Sequence, residues 1–276
     1  MQQPSLKLND GHVIPQLGFG VFLAKNGGET RQAVTAALEA GYRHIDTAAV
    51  YGNESDVGKA LAASGLKRDE VFVTTKLWND DVRAGNTRKA LETSLKLLKL
   101  DYVDLYLIHW PAEGYEKAWT EMVKLRDEGL IRSVGVSNFH IHHLEHLRTV
   151  SDVIPACDQV ESHPYLGQIH LLDYCRLHGI VMEAWSPLGG AKSKGALLND
   201  PLINSIAKRL NKSPAQVLIA WQLQRGVVVL PKSVHAERIA ANAQVFDIKF
   251  TDAELIALQN ANRHQRFGSD PENFNF

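Results

Sequence analysis

Short runs dense in Val, Ile, Leu and aromatic residues alternate along this chain with longer stretches in which apolar residues recur every three or four positions. The first pattern predicts strands buried on both faces, and the second predicts amphipathic helices packed against them. Strands are expected at residues 18–21, 44–46, 71–76, 103–109, 131–137, 157–161, 181–185 and 227–231. Helices are expected between them at 29–40, 55–64, 87–98, 115–128, 142–150, 169–178 and 215–224, with another at 236–245 after the last strand. Ahead of this alternation, residues 6–8 and 13–14 flank Asn9-Asp10-Gly11, which predicts a hairpin. A helix at 199–210 looks inserted before the regular seventh helix, and Thr251-Asp252-Ala253-Glu254 reads as the capping box of one more. Ser213-Pro214 supplies an N-cap with proline at the first helical position. Eight strand-then-helix units imply an α/β fold, a single (β/α)8 TIM barrel domain over residues 1–276 with an N-terminal hairpin cap and two extra helices. A doubly wound sheet would need a phosphate-binding glycine fingerprint, and Gly18 and Gly20 lack the third glycine and the helix start.

The candidate chemistry sits where these runs stop. Asp46 follows His44-Ile45, Tyr51 lies five residues on, Lys76 closes Val-Phe-Val-Thr-Thr-Lys, and His109 closes Tyr-Leu-Ile-His. A charge inside an apolar core is costly without a partner, so these side chains are expected to meet at the C-terminal rim of the sheet. A free phenol is a weak acid at neutral pH, and an adjacent ammonium favours its phenolate and lowers its pKa. Asp46 would then hold Lys76, Tyr51 would act as general acid, and His109 would donate a hydrogen bond to a carbonyl oxygen. One such residue alone could be a cap or a packing group. Four in order at one rim argue for a site.

Composition changes the picture mainly by exclusion. A net charge of −1 and no basic stripe give no reason to expect a nucleic-acid partner. No apolar run approaches a membrane span, and the N-terminal residues carry no signal-peptide core. Two cysteines, Cys157 and Cys175, are too few for a disulfide framework, so a reducing cytoplasm is expected. The chain is also expected to be a monomer. The sequons at Asn53 and Asn211 then read as accidental. His142-His143-Leu144-Glu145-His146 matches an inverted zinc-protease pattern, but no third ligand is evident and no metal is expected.

His-Ile-Asp-Thr-Ala-Ala-Val-Tyr-Gly-Asn-Glu from His44, Thr-Thr-Lys-Leu-Trp-Asn to Asn79, Asp-Leu-Tyr-Leu-Ile-His-Trp-Pro to Pro111, Gly-Val-Ser-Asn-Phe to Phe139, Gln-Val-Glu-Ser-His-Pro from Gln159, Trp-Ser-Pro-Leu-Gly from Trp185 and Pro-Lys-Ser from Pro231 occur in this order. Together they resemble the aldo-keto reductase superfamily, from Gly18 to about Val245, and within it the bacterial 2,5-diketo-D-gluconate reductase branch. The resemblance implies NADPH bound across a barrel mouth and a catalytic tetrad of Asp46, Tyr51, Lys76 and His109. It implies that Ser137, Asn138 and Gln159 hold the nicotinamide carboxamide and that Trp185 stacks on the ring. Gly20, Asp46 and the loop of Ser186, Leu188 and Gly189 would also line the cofactor. Lys232, Ser233 and Arg238 would clamp the 2′-phosphate, Val234 would also line the cofactor, and Asn242 would contact the adenine. Phe22, Val50, Trp78, His109 and Trp110 would form the substrate pocket. Asp158 and Ala241 stand where the family commonly has asparagine and glutamate, which puts cofactor affinity in question. The short segment after Pro111 and the short tail imply a fairly open pocket. The implied activity is NADPH-dependent reduction of a small-molecule aldehyde or ketone. Keto-sugar acids, methylglyoxal, β-keto esters and other aldehydes all remain open, as does a non-catalytic NADPH-sensing protein on the same fold.

Overall fold

The computed structural model describes residues 3–276. A hairpin of β1 (Ser5–Lys7) and β2 (Val13–Pro15) comes first, antiparallel, with Leu6 opposite Ile14. The chain then runs through β3 (Phe19–Gly20), α1 (Glu29–Glu39), β4 (His44–Asp46), α2 (Glu54–Ala63), β5 (Phe72–Leu77), α3 (Asn79–Ala84), α4 (Thr87–Leu98), β6 (Val103–Ile108) and α5 (Tyr115–Asp127). It continues through β7 (Ile131–Ser137), α6 (Ile141–Val150), β8 (Cys157–Glu161), α7 (Ile169–Leu177), β9 (Val181–Trp185), α8 (Pro201–Leu210), α9 (Pro214–Gln224), β10 (Val228–Val229), α10 (Ala236–Asn242) and α11 (Asp252–Asn260). The strands β3 to β10 form one eight-stranded sheet in sequence order, each neighbouring pair parallel. The sheet curls until its edges meet. Leu17 forms a parallel bridge with Val229, the Gly18 N–H donates to the Val229 carbonyl at 2.9 Å, and the Gly20 N–H donates to the Pro231 carbonyl at 3.1 Å.

The edge strands are shorter than the apolar pattern predicts, because at this seam pairing continues as single hydrogen bonds beyond each two-residue ladder. Gly18 is required there: a Cβ would lie 2.5 Å from Leu230 Cδ2 and 2.6 Å from His44 Nδ1. The continuous apolar runs also have a visible cause. Leu105 and Leu107 of β6 face inward with Phe72, Cys157, Val228 and Leu230, where Leu8 and Ile14 of the hairpin seal one end. Tyr106 and Ile108 point the other way into the layer beneath the helices, with Val34, Leu91, Trp119 and Leu147. Both faces are buried, so neither alternates with polar residues.

Both extra helices are present. They share a separate apolar cluster in which Ile203 and Ile206 of α8 and Leu258 of α11 pack with Leu218 and Trp221 of α9. Asp200 caps α8 by accepting from the Leu202 and Ile203 N–H groups, the expected Ser213 cap starts α9 and with Gln216 completes a capping box, and the expected capping box at Thr251 starts α11. Helix α3 was not legible, since six residues are too few to display an apolar stripe. No helix among the described residues is long and apolar enough to cross a membrane.

Candidate active site

The C-terminal ends of β4, β5 and β6 bring the four expected residues together. Asp46 ends β4, Lys76 lies near the end of β5, His109 follows β6, and Tyr51 sits on the single 3-10 turn, Ala49–Tyr51, that leaves β4. Lys76 Nζ donates to both Asp46 oxygens at 2.7 and 2.8 Å and to the Thr47 carbonyl at 2.9 Å. It lies 3.5 Å from the Tyr51 hydroxyl. The Tyr51 and His109 rings meet edge to face with centroids 5.7 Å apart. Asn53 ties this turn down: its fully buried amide donates to the Val21 and Ala24 carbonyls and accepts from Thr47 Oγ1. The sequon at Asn53 is therefore structural, with no exposed amide to modify.

Burial and charge set the protonation states. Burial opposes the Lys76 charge, but Asp46, then Tyr51 and Glu183, outweigh it and raise the ammonium pKa. Lys76 therefore stays charged at neutral pH. Burial raises the Tyr51 pKa, and Lys76 opposes this without reversing it. This corrects the expectation of a lowered phenol pKa: desolvation outweighs one ammonium already shared with Asp46. The phenol keeps its proton until charge develops elsewhere. Burial, then Lys76, holds the His109 pKa well below the ordinary imidazole value. A neutral His109 carries one ring N–H, and its buried Nδ1 has no partner among the described residues.

Around the tetrad lies a second ring of polar groups. Gln159 Nε2 donates to Asp46 Oδ2 and to Glu183 Oε2, both at 2.8 Å. Asn138 has a left-handed backbone, φ +63°, a conformation asparagine tolerates. Its amide donates to the His109 carbonyl and to Ser137 Oγ, and its oxygen accepts from Trp185 Nε1 at 2.9 Å. Ser137, Asn138, Gln159 and Trp185 thus form one bonded group beside the tetrad. Gly20 is level with Asp46 in the sheet. Ser186, Leu188 and Gly189 follow β9, with Ser186 and Gly189 at positive φ. Lys232, Ser233 and Val234 are half-buried between β10 and α10, Arg238 is exposed, and Asn242 is buried on α10. Neither Lys232 nor Arg238 has an ion-pair partner among the described residues.

Asp158 turns away from this group. Its neighbours on β8, Cys157 and Gln159, face inward, whereas Asp158 Oδ1 accepts from the Phe139 N–H at 3.4 Å on the helix side. Burial raises its pKa well above the ordinary carboxylate value, which suits its place away from water. The departure at this position does not touch the site. Glu183, one strand over, is the residue that sequence reasoning missed. It lies fully buried under Gln159, and only its place beside Gln159 in the sheet reveals it.

Phe22 and Val50 are exposed at the rim, Trp78 is half-buried and Trp110 buried. Phe22 meets Tyr51 at 5.0 Å between centroids, and Trp78 meets His109 at 5.2 Å. The pocket is not as open as the short tail suggested. Residues 267–276 fold across the rim, anchored where Glu161 accepts from the Phe267 and Gly268 N–H groups at 2.7 and 2.9 Å. Phe274 packs on Trp110, and Phe276 stacks on Trp78 at 5.6 Å with planes 6° apart. Asn79 and Arg83 of α3 donate to the Phe276 carbonyl at 3.0 and 2.9 Å. Apolar sequence periodicity gives no sign of contacts spanning 197 residues.

Comparison with known proteins agrees with this geometry. The model of the aldo/keto reductase family matches residues 16–263, and the chain belongs to that family. It is an oxidoreductase. A methylglyoxal reductase, DkgA, of Yersinia pestis is 50% identical over 99% of this chain and 98% of its own length. A glyoxal reductase of Bacillus subtilis is 45% identical over 99% of this chain and 98% of its own length. Among solved structures, a Bombyx mori aldo-keto reductase in complex with NADP is 39% identical, with a TM-score of 0.91, over 99% of this chain and 97% of that one.

Proposed function

We propose that this protein, as a single (β/α)8 barrel domain, uses NADPH to reduce small α-oxoaldehydes of the methylglyoxal kind to hydroxycarbonyl products. The observation that carries the reading is the convergence of the Lys76–Asp46 pair on the Tyr51 hydroxyl beside a neutral His109. The names of the methylglyoxal and glyoxal reductases among its relatives support the substrate class. So does an aromatic mouth narrowed by Phe274 and Phe276. The residues fit a nicotinamide cofactor. Ser137, Asn138 and Gln159 offer donors and acceptors for a carboxamide, and Trp185 offers an aromatic face. Lys232 and Arg238, without acidic partners among the described residues, suit the phosphate that distinguishes NADPH. Gly20, Ser186, Leu188 and Gly189 would lie along the cofactor, and Asn242 beside the adenine. When bound, the reduced nicotinamide supplies a hydride.

The chain's own groups supply the rest. His109 donates a hydrogen bond to the carbonyl oxygen and orients it. Tyr51 transfers its proton to that oxygen as negative charge builds there. The phenolate left behind is stabilised by Lys76, whose charge Asp46 preserves. Burial keeps the proton on Tyr51 before the reaction, and the ammonium makes its departure tolerable during it.

Following NADPH absorbance with methylglyoxal tests the proposal. Tyr51→Phe should lower turnover by about 10²–10⁴-fold while leaving NADPH binding, read by tryptophan fluorescence, nearly intact. Undiminished turnover in the Phe variant would overturn the role of the phenol. Binding without any reduction across a carbonyl panel would favour a cofactor-sensing protein instead.

A further inference from the structure

His140, His142 and His143 cluster at the start of α6, and Glu272 reaches them from the segment that crosses the barrel rim. We propose that these four residues form a site for a late first-row divalent metal, with Zn²⁺ as the expected occupant, and that the metal fastens the rim-crossing segment to α6. One ligand atom from each residue can be chosen so that all four lie within 4.8 Å of one another. His140 Nδ1 is 2.5 Å and His142 Nε2 3.5 Å from Glu272 Oε1. The His142 and His143 ring centroids are 3.9 Å apart. Ligands about 2.0–2.1 Å from a tetrahedral zinc stand roughly 3.4 Å from each other. His142 and Glu272 already stand at that spacing, His140 and Glu272 must move apart by about 0.9 Å to admit the ion, and the widest separations must contract. His142 and Glu272 are exposed and His140 and His143 half-buried, which leaves an entry path and free rotamers.

The donor chemistry is selective. Three imidazoles and one carboxylate suit zinc, copper or nickel and are poorly matched to the all-oxygen preference of calcium or magnesium. Four protein ligands also describe a closed site of the structural kind. Asp270 adds a carboxylate near His140. Two effects oppose binding. The helix N-terminus disfavours a cation, but weakly compared with coordinate bonds. His143 Nδ1 accepts from the His140 N–H at 3.1 Å, and metal binding at this ring exchanges that cap bond for coordination.

The sequence motif beginning at His142 is not this site. His146 Nε2 lies 3.0 Å from Glu116, and Glu145 pairs with Arg148 and accepts from Tyr174. Of the pattern's two histidine ligands, His142 and His146, only His142 belongs to the proposed site. The remaining ligands are a histidine two residues upstream, its neighbour His143, and a glutamate 130 positions away that only folding delivers. Glu272 stands two residues before Phe274, which covers Trp110, and four before Phe276, which covers Trp78. Metal binding at Glu272 therefore holds both aromatic rings over the mouth.

The test is titration of chelator-stripped protein with ZnCl₂ against a colorimetric zinc indicator, independent of any enzymatic activity. Wild type should bind one equivalent with a dissociation constant in the micromolar range or tighter. His142→Ala and Glu272→Gln should each weaken this by at least about tenfold, the lower end of what loss of even an outer partner costs. His146→Ala should titrate like wild type. Co²⁺ in place of zinc should show the visible bands of four-coordinate cobalt in wild type and lose them in the two variants. Amide hydrogen exchange over residues 272–276 should slow with ZnCl₂ in wild type but not in Glu272→Gln. Equal zinc affinity in wild type, His142→Ala and Glu272→Gln, or no saturable binding below about 100 μM, would overturn the site. Binding without slowed exchange would overturn the fastening.

Discussion

Glu183 allows a prediction that no alignment of motifs would suggest. Its side chain is wholly buried beneath Gln159, one carboxyl oxygen accepts from Gln159, and the other has no partner among the described residues. Burial, with Asp46 adding to it, raises its pKa from 4.5 to about 8, against smaller opposing effects of the Gln159 hydrogen bond and Lys76. Between those two values the native state holds a proton that the unfolded chain has lost. Stability from this residue is therefore fully present below about pH 4.5 and declines as pH rises towards 8. The slope is about 1.4 kcal/mol per pH unit, which amounts to about 2 kcal/mol between pH 6 and 8. Glu183→Gln removes the titration and keeps an oxygen that accepts from Gln159. The variant should lose that part of the pH dependence and gain stability over wild type most strongly at pH 8. Urea unfolding at pH 6, 7 and 8, with the two proteins compared at each pH, measures the difference. Parallel stability curves over this range would refute the reasoning, because they would mean that Glu183 is ionised in the native state or does not titrate there.

Two further substitutions probe the site itself. Lys76→Met strands the buried Asp46 carboxylate and should cost about 3–5 kcal/mol of stability, measured by denaturant titration. It should also lower kcat at saturating substrate, and a change confined to KM would make Lys76 a binding residue only. Arg238→Ala should weaken NADPH by about 1.5–3 kcal/mol while leaving NADH nearly unchanged, as read by cofactor titration. Equal losses for both cofactors would contradict contact with the 2′-phosphate.

The local code was legible where physics acts over a few residues. Apolar runs buried on both faces marked the strands of the parallel sheet, and capping chemistry at Ser213 and Thr251 marked helix starts. Polar residues closing apolar runs marked Asp46, Lys76 and His109, because a charge next to a core is tolerated only with a partner. Their chemistry followed from residue type, but their protonation did not. The direction of the Tyr51 shift depends on how much water folding removes, a quantity spread over many distant neighbours.

What the sequence by itself determined, then, was the order of strands and helices, the rim where Asp46, Lys76 and His109 gather and, through its motifs, the family. Tertiary structure decided which polar groups the core encloses and what covers the mouth. Glu183 looked like an ordinary strand residue until β9 paired with β8 and placed it under Gln159. Asp158 looked like a neighbour of the cofactor until the pleat turned it outward. Phe276 met Trp78, and Glu272 met His140 and His142, across more than 100 residues of chain. Periodicity reports which face of an element is buried. It carries no information about which distant segment does the burying, because that is set by the closure of the sheet and the path the chain takes over it.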